Sequence, residues 1–184
     1  MESDYENRLK ALEDQVKIIS ENAPEDKLSI MIYSGDYDKL LFSFIIATGA
    51  AAMYDKVFLF FSMWAISALR KSNVIKNELN QESISTLFDV TLPKGCDDLL
   101  GYHSTINQMH INLMKESMKN KNMLSLCDLM KKAQEMGIEI AICQMCMDMM
   151  DFKQEDLIDY PNLKIAGIAK FLQEASTSKV TLFI

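Results

Sequence analysis

The sequence predicts an α/β protein built on a mostly parallel sheet, and three observations carry that prediction. Two short runs, Val57–Phe61 (Val-Phe-Leu-Phe-Phe) and Ile138–Cys143 (Ile-Glu-Ile-Ala-Ile-Cys), are apolar and rich in β-branched or aromatic residues. This is how strands buried on both faces read. From Lys27 to Arg70 the pattern alternates strand, helix, strand, helix, the signature of βαβ units. The length of 184 residues suits one domain with a sizeable core.

Taken in order, the chain opens with Tyr5, Leu9, Leu12, Val16 and Ile19, spaced four, three, four and three and separated by charged and polar residues. This two-heptad stripe predicts an amphipathic helix over residues 1–23 that stops before Pro24. Two heptads do not hold a free coiled coil together, so the helix either packs on its own domain or assists an oligomer. The α/β domain is then expected over residues 24–184. Lys27–Tyr33 is the first strand, Ser34-Gly35-Asp36 the turn out of it, and Asp36–Met53 the first helix of that domain. Its Phe-Ile-Ile-Ala-Thr-Gly-Ala-Ala-Ala-Met stretch is apolar nearly all round, which predicts burial between the sheet and a further layer, with Gly49 in close packing on the sheet.

Val57–Phe61 is followed at once by Ser62-Met63-Trp64 and a short helix to about Arg70. Residues 72–104 are polar and without a clear period, marked by Pro93, Gly95 and Gly101, and read as a lid or an interface in which Cys96 is a bystander. Ser104–Lys119 is helical; His103 and His110 lie on it about two turns apart without further ligands at helical spacing, so no metal site is expected there. Ser125 with Asp128 three residues on opens the next helix, which carries Cys127 and stops at Gly137. After Cys143 come an acidic helix turn at Gln154–Ile158, Pro161, the run Leu163-Lys164-Ile165-Ala166 with Gly167 opening a last helix to about Ala175, and a closing strand at Lys179–Ile184.

Composition narrows the function classes. A net charge of −7 and a pI near 4.9 argue against a nucleic-acid partner, which needs clustered Lys and Arg. The apolar runs 40–53 and 57–69 are too short for the roughly 20 residues of a spanning helix, so no membrane span is expected. Met1 is followed by acidic and polar residues rather than by a secretory leader, and four cysteines in such a chain read as reduced cytoplasmic thiols.

The chemistry centres on Cys143. A thiol where a strand ends lies at the edge where α/β sheets place their ligands, with the dipole of the following helix favouring a thiolate. The same residue also reads as a small buried apolar side chain. Cys143-Gln144-Met145-Cys146 is a Cys-x-x-Cys, a spacing suited to dithiol redox chemistry. Met145, Met147, Met149 and Met150 are of a type that suits soft Cu(I), yet Met at helical spacing is more often core filler. Neither a metal nor a cofactor is expected. Ser34, Gly35, Asp36, Trp64 and Met145 are the expected pocket around Cys143 and Cys146. Two carboxylates in Ser34-Gly35-Asp36-Tyr37-Asp38 argue against a phosphate cradle there.

Several separated motifs resemble the DsrE/DsrF-like family, in particular its larger subgroup sometimes labelled peroxiredoxin-like. They are Ser-Gly-Asp-x-Asp-Lys (34–39), Ile-Ile-Ala-Thr-Gly-Ala-Ala-Ala-Met (45–53), Phe-Phe-Ser-Met-Trp (60–64), Leu-Pro-Lys-Gly (92–95), Cys-x-Met-Cys-Met-Asp-x-Met (143–150) and the terminal Leu-Phe-Ile. The resemblance implies a flavodoxin-like doubly wound sheet, a homo-oligomer, and a cysteine that relays persulfide sulfur between donor and acceptor proteins with reactive thiols. By position that cysteine is Cys143. The subgroup pattern has Ser where this chain has Cys146, which puts a second thiol beside the carrier. A cytoplasmic persulfide carrier or sulfurtransferase is therefore the leading expectation. The alternatives are a dithiol-disulfide oxidoreductase using Cys143 and Cys146, and a non-catalytic oligomeric assembly subunit.

Overall fold

The computed structural model of the chain describes residues 2–72, 91–99 and 105–184. Five strands form one sheet: β1 (Glu25–Ile32), β2 (Lys56–Phe61), β3 (Glu139–Cys143), β4 (Leu163–Ala166) and β5 (Ser178–Phe183). Their order is β4-β3-β2-β1-β5, and every neighbouring pair is parallel. This is the flavodoxin-like, doubly wound α/β arrangement that the apolar runs and the resemblance predict. The expected closing strand is present, but it lies at the sheet edge beside β1, far from the strand that precedes it.

The order follows from crossover geometry. Steps from β1 through β4 all run in one direction, so their connections cover one face; the return from β4 to β5 covers the other. Alternate side chains of β2 report the two layers. Phe61 meets Phe44 of α2 (Tyr37–Ala50) with ring centroids 6.0 Å apart. Phe60 meets Phe171 of the last helix, Ile168–Ser176, at 5.5 Å. Ile30, Leu59 and Ile140 stand in register across the centre of the sheet and are buried. Each large apolar side chain so enclosed contributes about 1.5–3 kcal/mol relative to exposure.

Helix ends carry the chain into the strands. The helix Leu126–Glu135 starts with a reciprocal Ser125–Asp128 capping box. It ends with Gly137 at φ 72°, the Gly137 N–H donating to the Gln134 carbonyl and the Ile138 N–H to the Ala133 carbonyl. A left-handed residue is needed at this position of such a terminus, and glycine takes it without penalty. The chain is thereby delivered into β3, whose last residue is Cys143.

One open alternative about packing is narrowed and one expectation is corrected. The helix α1 (Glu2–Glu21) forms with every side chain from Tyr5 to Ser20 exposed, so the apolar stripe packs on nothing among the described residues. Helix α2 buries Leu40, Phe44 and Ala47 on the sheet side, while Phe42 and Ile45 face outward and are exposed. Gly49 has nothing within 4 Å of an added Cβ, so it lies on this open face and not in close packing on the sheet. The outer layer expected over α2 is supplied only in part, by the helix Leu126–Glu135 packed along it.

Candidate functional site

β2 and β3 run side by side with Phe61 paired to Ile142, so the residues leaving the two strands emerge together at the carboxyl edge. Ser62 and Met63 come from one side, Cys143 and the seven-residue helix Gln144–Met150 from the other. Cys143 and Cys146 are both free and both buried, at 3% and 2% exposure. The Ser62 hydroxyl lies 3.4 Å from Cys146 Sγ, and Cys146 Sγ lies 3.7 Å from Met63 Sδ. Cys143 stands at the start of that helix, three residues before Cys146, and the Cys146 backbone N–H, the Cys146 thiol and Ser62 all act electrostatically on the Cys143 sulfur.

The electrostatics correct the expectation of a stabilised thiolate. Burial pushes the Cys143 thiol up from its ordinary value; the Cys146 N–H and Ser62 oppose this, the Cys146 thiol adds to it, and burial prevails. In the resting chain Cys143 is therefore a protonated thiol at neutral pH. Strand-end position by itself did not disclose how deeply the apolar neighbours close over the sulfur.

Met63 has φ 49°, a left-handed conformation that costs a non-glycine residue about 1–2 kcal/mol. Its neighbours hold it there: the Ser62 N–H donates to the Ile32 carbonyl at 2.9 Å, and Gly35 packs against the Trp64 backbone. A Cβ on Gly35 would come within 2.9 Å of the Trp64 carbonyl oxygen. The expected pocket residues Ser34, Gly35, Asp36 and Trp64 are thus linked to the cysteines through the turn Ser62–Trp64. Within that group Ser34 Oγ donates to Asp36 Oδ2 at 3.0 Å, and Lys39 pairs with the same oxygen at 2.9 Å. The Asp36 carboxylate is engaged locally, and the thiols have other partners.

Ser62 and Met63 were not singled out in the sequence, where attention falls on the larger Trp64. The available signal was that β2 and β3 are adjacent apolar strands, whose first following residues must meet. Met145, expected in the pocket, is 71% exposed and belongs to the outer face of its helix.

The expectation of four reduced thiols fails at the other pair. Cys96 and Cys127 are joined in a disulfide, with Cα atoms 5.5 Å apart and a sequence separation of 31. Cys96 is accordingly no bystander: residues 91–99 are tied to the helix Leu126–Glu135, and Lys115 Nζ donates to the Asp97 and Leu99 carbonyls. A cavity of about 290 Å³ opens there, lined by Tyr37, Lys115, Leu126 and both disulfide cysteines, and Cys143 is not in its wall. The lid or interface expected over 72–104, and His103, fall largely outside the described residues, while His110 is exposed on its helix. Among the described residues, no helix is long and apolar enough to cross a membrane.

Against known proteins, the profile of the DsrE/DsrF/DrsH-like family matches residues 24–183. The chain belongs to the DsrE/DsrF/DrsH-like family. It is 34% identical over 158 residues to the uncharacterized protein YrkE of Bacillus subtilis (strain 168), covering 86% of this chain and 96% of that one. It is 30% identical over 165 residues to the sulfur carrier protein DsrE2 of Allochromatium vinosum, covering 87% and 99%. Among solved structures, the ychN protein of E. coli aligns with a TM-score of 0.47 at 10% identity, covering 86% of this chain and 99% of that one. Within this DsrE-like chain, Cys143 and Cys146 are the two free cysteines of the described residues, and they meet at one strand edge.

Proposed function

We propose that this chain is a sulfur carrier that takes and passes sulfane sulfur through Cys143. The observation that carries the reading is a free, buried thiol ending β3, three residues before a second free thiol, in a chain of this family with a relative named as a sulfur carrier. The Cys143 thiol loses its proton as a donor persulfide, R–S–SH, docks. The thiolate attacks the outer sulfur, the bond between the donor's two sulfurs breaks, and R–S⁻ leaves and takes the proton. Cys143–S–SH then gives its terminal sulfur to an acceptor thiolate, with the Cys143 thiolate as leaving group. No external oxidant or reductant enters the balance. Burial of Cys143 suits this cycle, since a protonated, enclosed thiol is slow to oxidise between encounters.

A second reading, a dithiol oxidoreductase, has its own support in the two free thiols that open one helix three residues apart. Intact mass after incubation with inorganic polysulfide separates the two. The carrier gains one sulfur and Cys143→Ser gains none, whereas Cys96→Ser and Cys127→Ser still load; the oxidoreductase instead loses two hydrogens. Retained loading in Cys143→Ser sinks the assignment. The working form is a homo-oligomer within the cytoplasm, with residues 24–184 as the carrier domain and residues 1–23 as an assembly helix. Support comes from the exposed stripe of α1 and the exposed Phe42 and Ile45 of α2.

A further inference from the structure

We propose that Cys143, Cys146 and Met63 form a Cu(I) site, a binding activity separate from sulfur relay and not dependent on it. Three sulfur side chains from two adjacent strand ends converge here. Cys146 Sγ lies 3.7 Å from Met63 Sδ, and Cys143 stands at the start of the same helix, three residues before Cys146, with both thiols buried. With metal–sulfur bonds of about 2.3 Å, three sulfurs in a trigonal plane stand roughly 4 Å apart. The Cys146–Met63 pair is already at that spacing, so an ion enters with little rearrangement. Two thiolates and a thioether are the soft ligand set that selects Cu(I).

The surroundings favour the same ion. Zinc in a structural site takes four Cys, His or carboxylate ligands. Among the described residues, the group of three or more His, Cys, Asp and Glu side chains close enough to share an ion is Cys96, Asp97 and Cys127, so no third or fourth ligand of these types joins Cys143 and Cys146. The Cys143 site therefore has too few ligands for zinc and enough for low-coordinate copper. Both thiols are enclosed, while Met63 is only half-buried and forms the solvent side, the position from which an ion handed over by ligand exchange arrives. The left-handed backbone of Met63 is the further sign. Strained residues persist where their surroundings hold them and gather at functional sites, and this one sets a thioether against a thiol. Bound copper occupies Cys143, so a copper-loaded chain does not accept sulfane sulfur.

The test titrates Cu(I) into the full-length chain, reduced and handled without oxygen, in competition with the chromogenic chelator bicinchoninate. The wild type should take one Cu(I) per chain, and X-ray absorption should count three sulfur neighbours. Cys143→Ser and Cys146→Ser should each lose that copper to the chelator, and the Cys96→Ser/Cys127→Ser double variant should keep it. Met63→Leu should bind about tenfold or more weakly, with two sulfur neighbours. Equal affinity of wild type and Met63→Leu overturns the site, as does copper retained by a Cys143→Ser/Cys146→Ser chain. Should a cysteine variant unfold, Met63→Leu decides alone. Polysulfide loading separates the two readings: normal loading of Met63→Leu with weakened copper upholds both, and a wild type that binds copper through three sulfurs but takes up no sulfur counts against the relay only.

Discussion

Gly35→Ala tests whether the turn after β1 and the turn after β2 are locked together. A Cβ at Gly35 would stand 2.9 Å from the Trp64 carbonyl oxygen, 3.2 Å from its carbonyl carbon and 3.2 Å from its Cβ. Two of these are backbone atoms, which cannot rotate aside as a side-chain end would. One of the two turns must therefore move by several tenths of an ångström. Overpacking of this kind costs about 1–3 kcal/mol. The smaller chain entropy of unfolded Ala returns about 0.4–1 kcal/mol, leaving a net loss of about 1–2 kcal/mol. Gly49→Ala is the counterpart: it sits in α2 with open space around it, and the helix preference of Ala should stabilise by up to about 1 kcal/mol. Urea denaturation followed by fluorescence of Trp64, the single tryptophan, reads both, and the emission also reports the environment of the displaced turn. Equal midpoints for Gly35→Ala and the wild type would refute the proposed contact.

Cys146→Ser should leave polysulfide loading intact and lengthen the lifetime of the Cys143 persulfide, because Cys146 can attack the inner sulfur, close a disulfide and expel hydrosulfide; equal lifetimes by timed mass spectrometry would remove Cys146 from the chemistry. Deletion of residues 1–22 should lower the oligomer mass in sedimentation while the urea midpoint of the sheet stays, since the side chains from Tyr5 to Ser20 are exposed among the described residues; a monomeric full-length protein contradicts this. The third concerns Lys27, 2% exposed, whose ammonium meets Glu174 at 2.7 Å, Thr177 at 2.6 Å and Glu25 at 3.2 Å. Burial raises the Glu174 carboxyl, but Lys170 and Lys27 together bring it below its ordinary value of 4.5. The folded value is lower than the unfolded one, so this stabilisation is present above about pH 4.5 and is lost as pH falls through the depressed value. Burial likewise disfavours the Lys27 ammonium, but Glu174 and Glu25 raise it above 10.5, so its contribution is present below that pH and is lost in strong alkali. Lys27→Met should cost about 2–3 kcal/mol at neutral pH, the lower side of a broken buried pair because Lys170 still serves Glu174. Its acid unfolding curve should flatten between pH 5 and pH 3, and an unchanged pH profile would refute the pairing.

The fold was legible because its strands are buried on both faces and so appear as unbroken apolar runs. Val57–Phe61 and Ile138–Cys143 could be placed within a residue, and Gly137 marked the junction that the structure closes with two backbone hydrogen bonds. What stayed hidden depends on distance in sequence. Cys96 and Cys127 lie 31 residues apart, one beside turn residues without a period, and nothing local brings them together. Ser62 and Met63 reach Cys146 across 84 and 83 positions, a contact that exists only because β2 and β3 are neighbours. The solvent exposure of α1 was also out of reach, since a narrow apolar stripe reads the same whether it meets its own domain or another chain.

The carrier and copper readings meet in one constraint that the geometry imposes. Sulfur relay needs the Cys143 sulfur to leave an enclosure in which it is 3% exposed, and copper entering past Met63 needs a path to the same sulfur. The smallest movement that exposes it involves the turn Ser62–Trp64, because that turn supplies the Ser62 hydroxyl and the Met63 thioether while the β3 side is fixed by sheet pairing on both flanks. The turn in turn leans on Gly35. A partner that pressed on Gly35 or Trp64 would thus act on the thiols without touching them. Loading rates measured in Gly35→Ala therefore carry more than stability information: displacement of the turn by a few tenths of an ångström should change the rate of sulfur uptake even at temperatures where the variant is fully folded, whereas a rate equal to the wild type would place the opening movement on the β3 side.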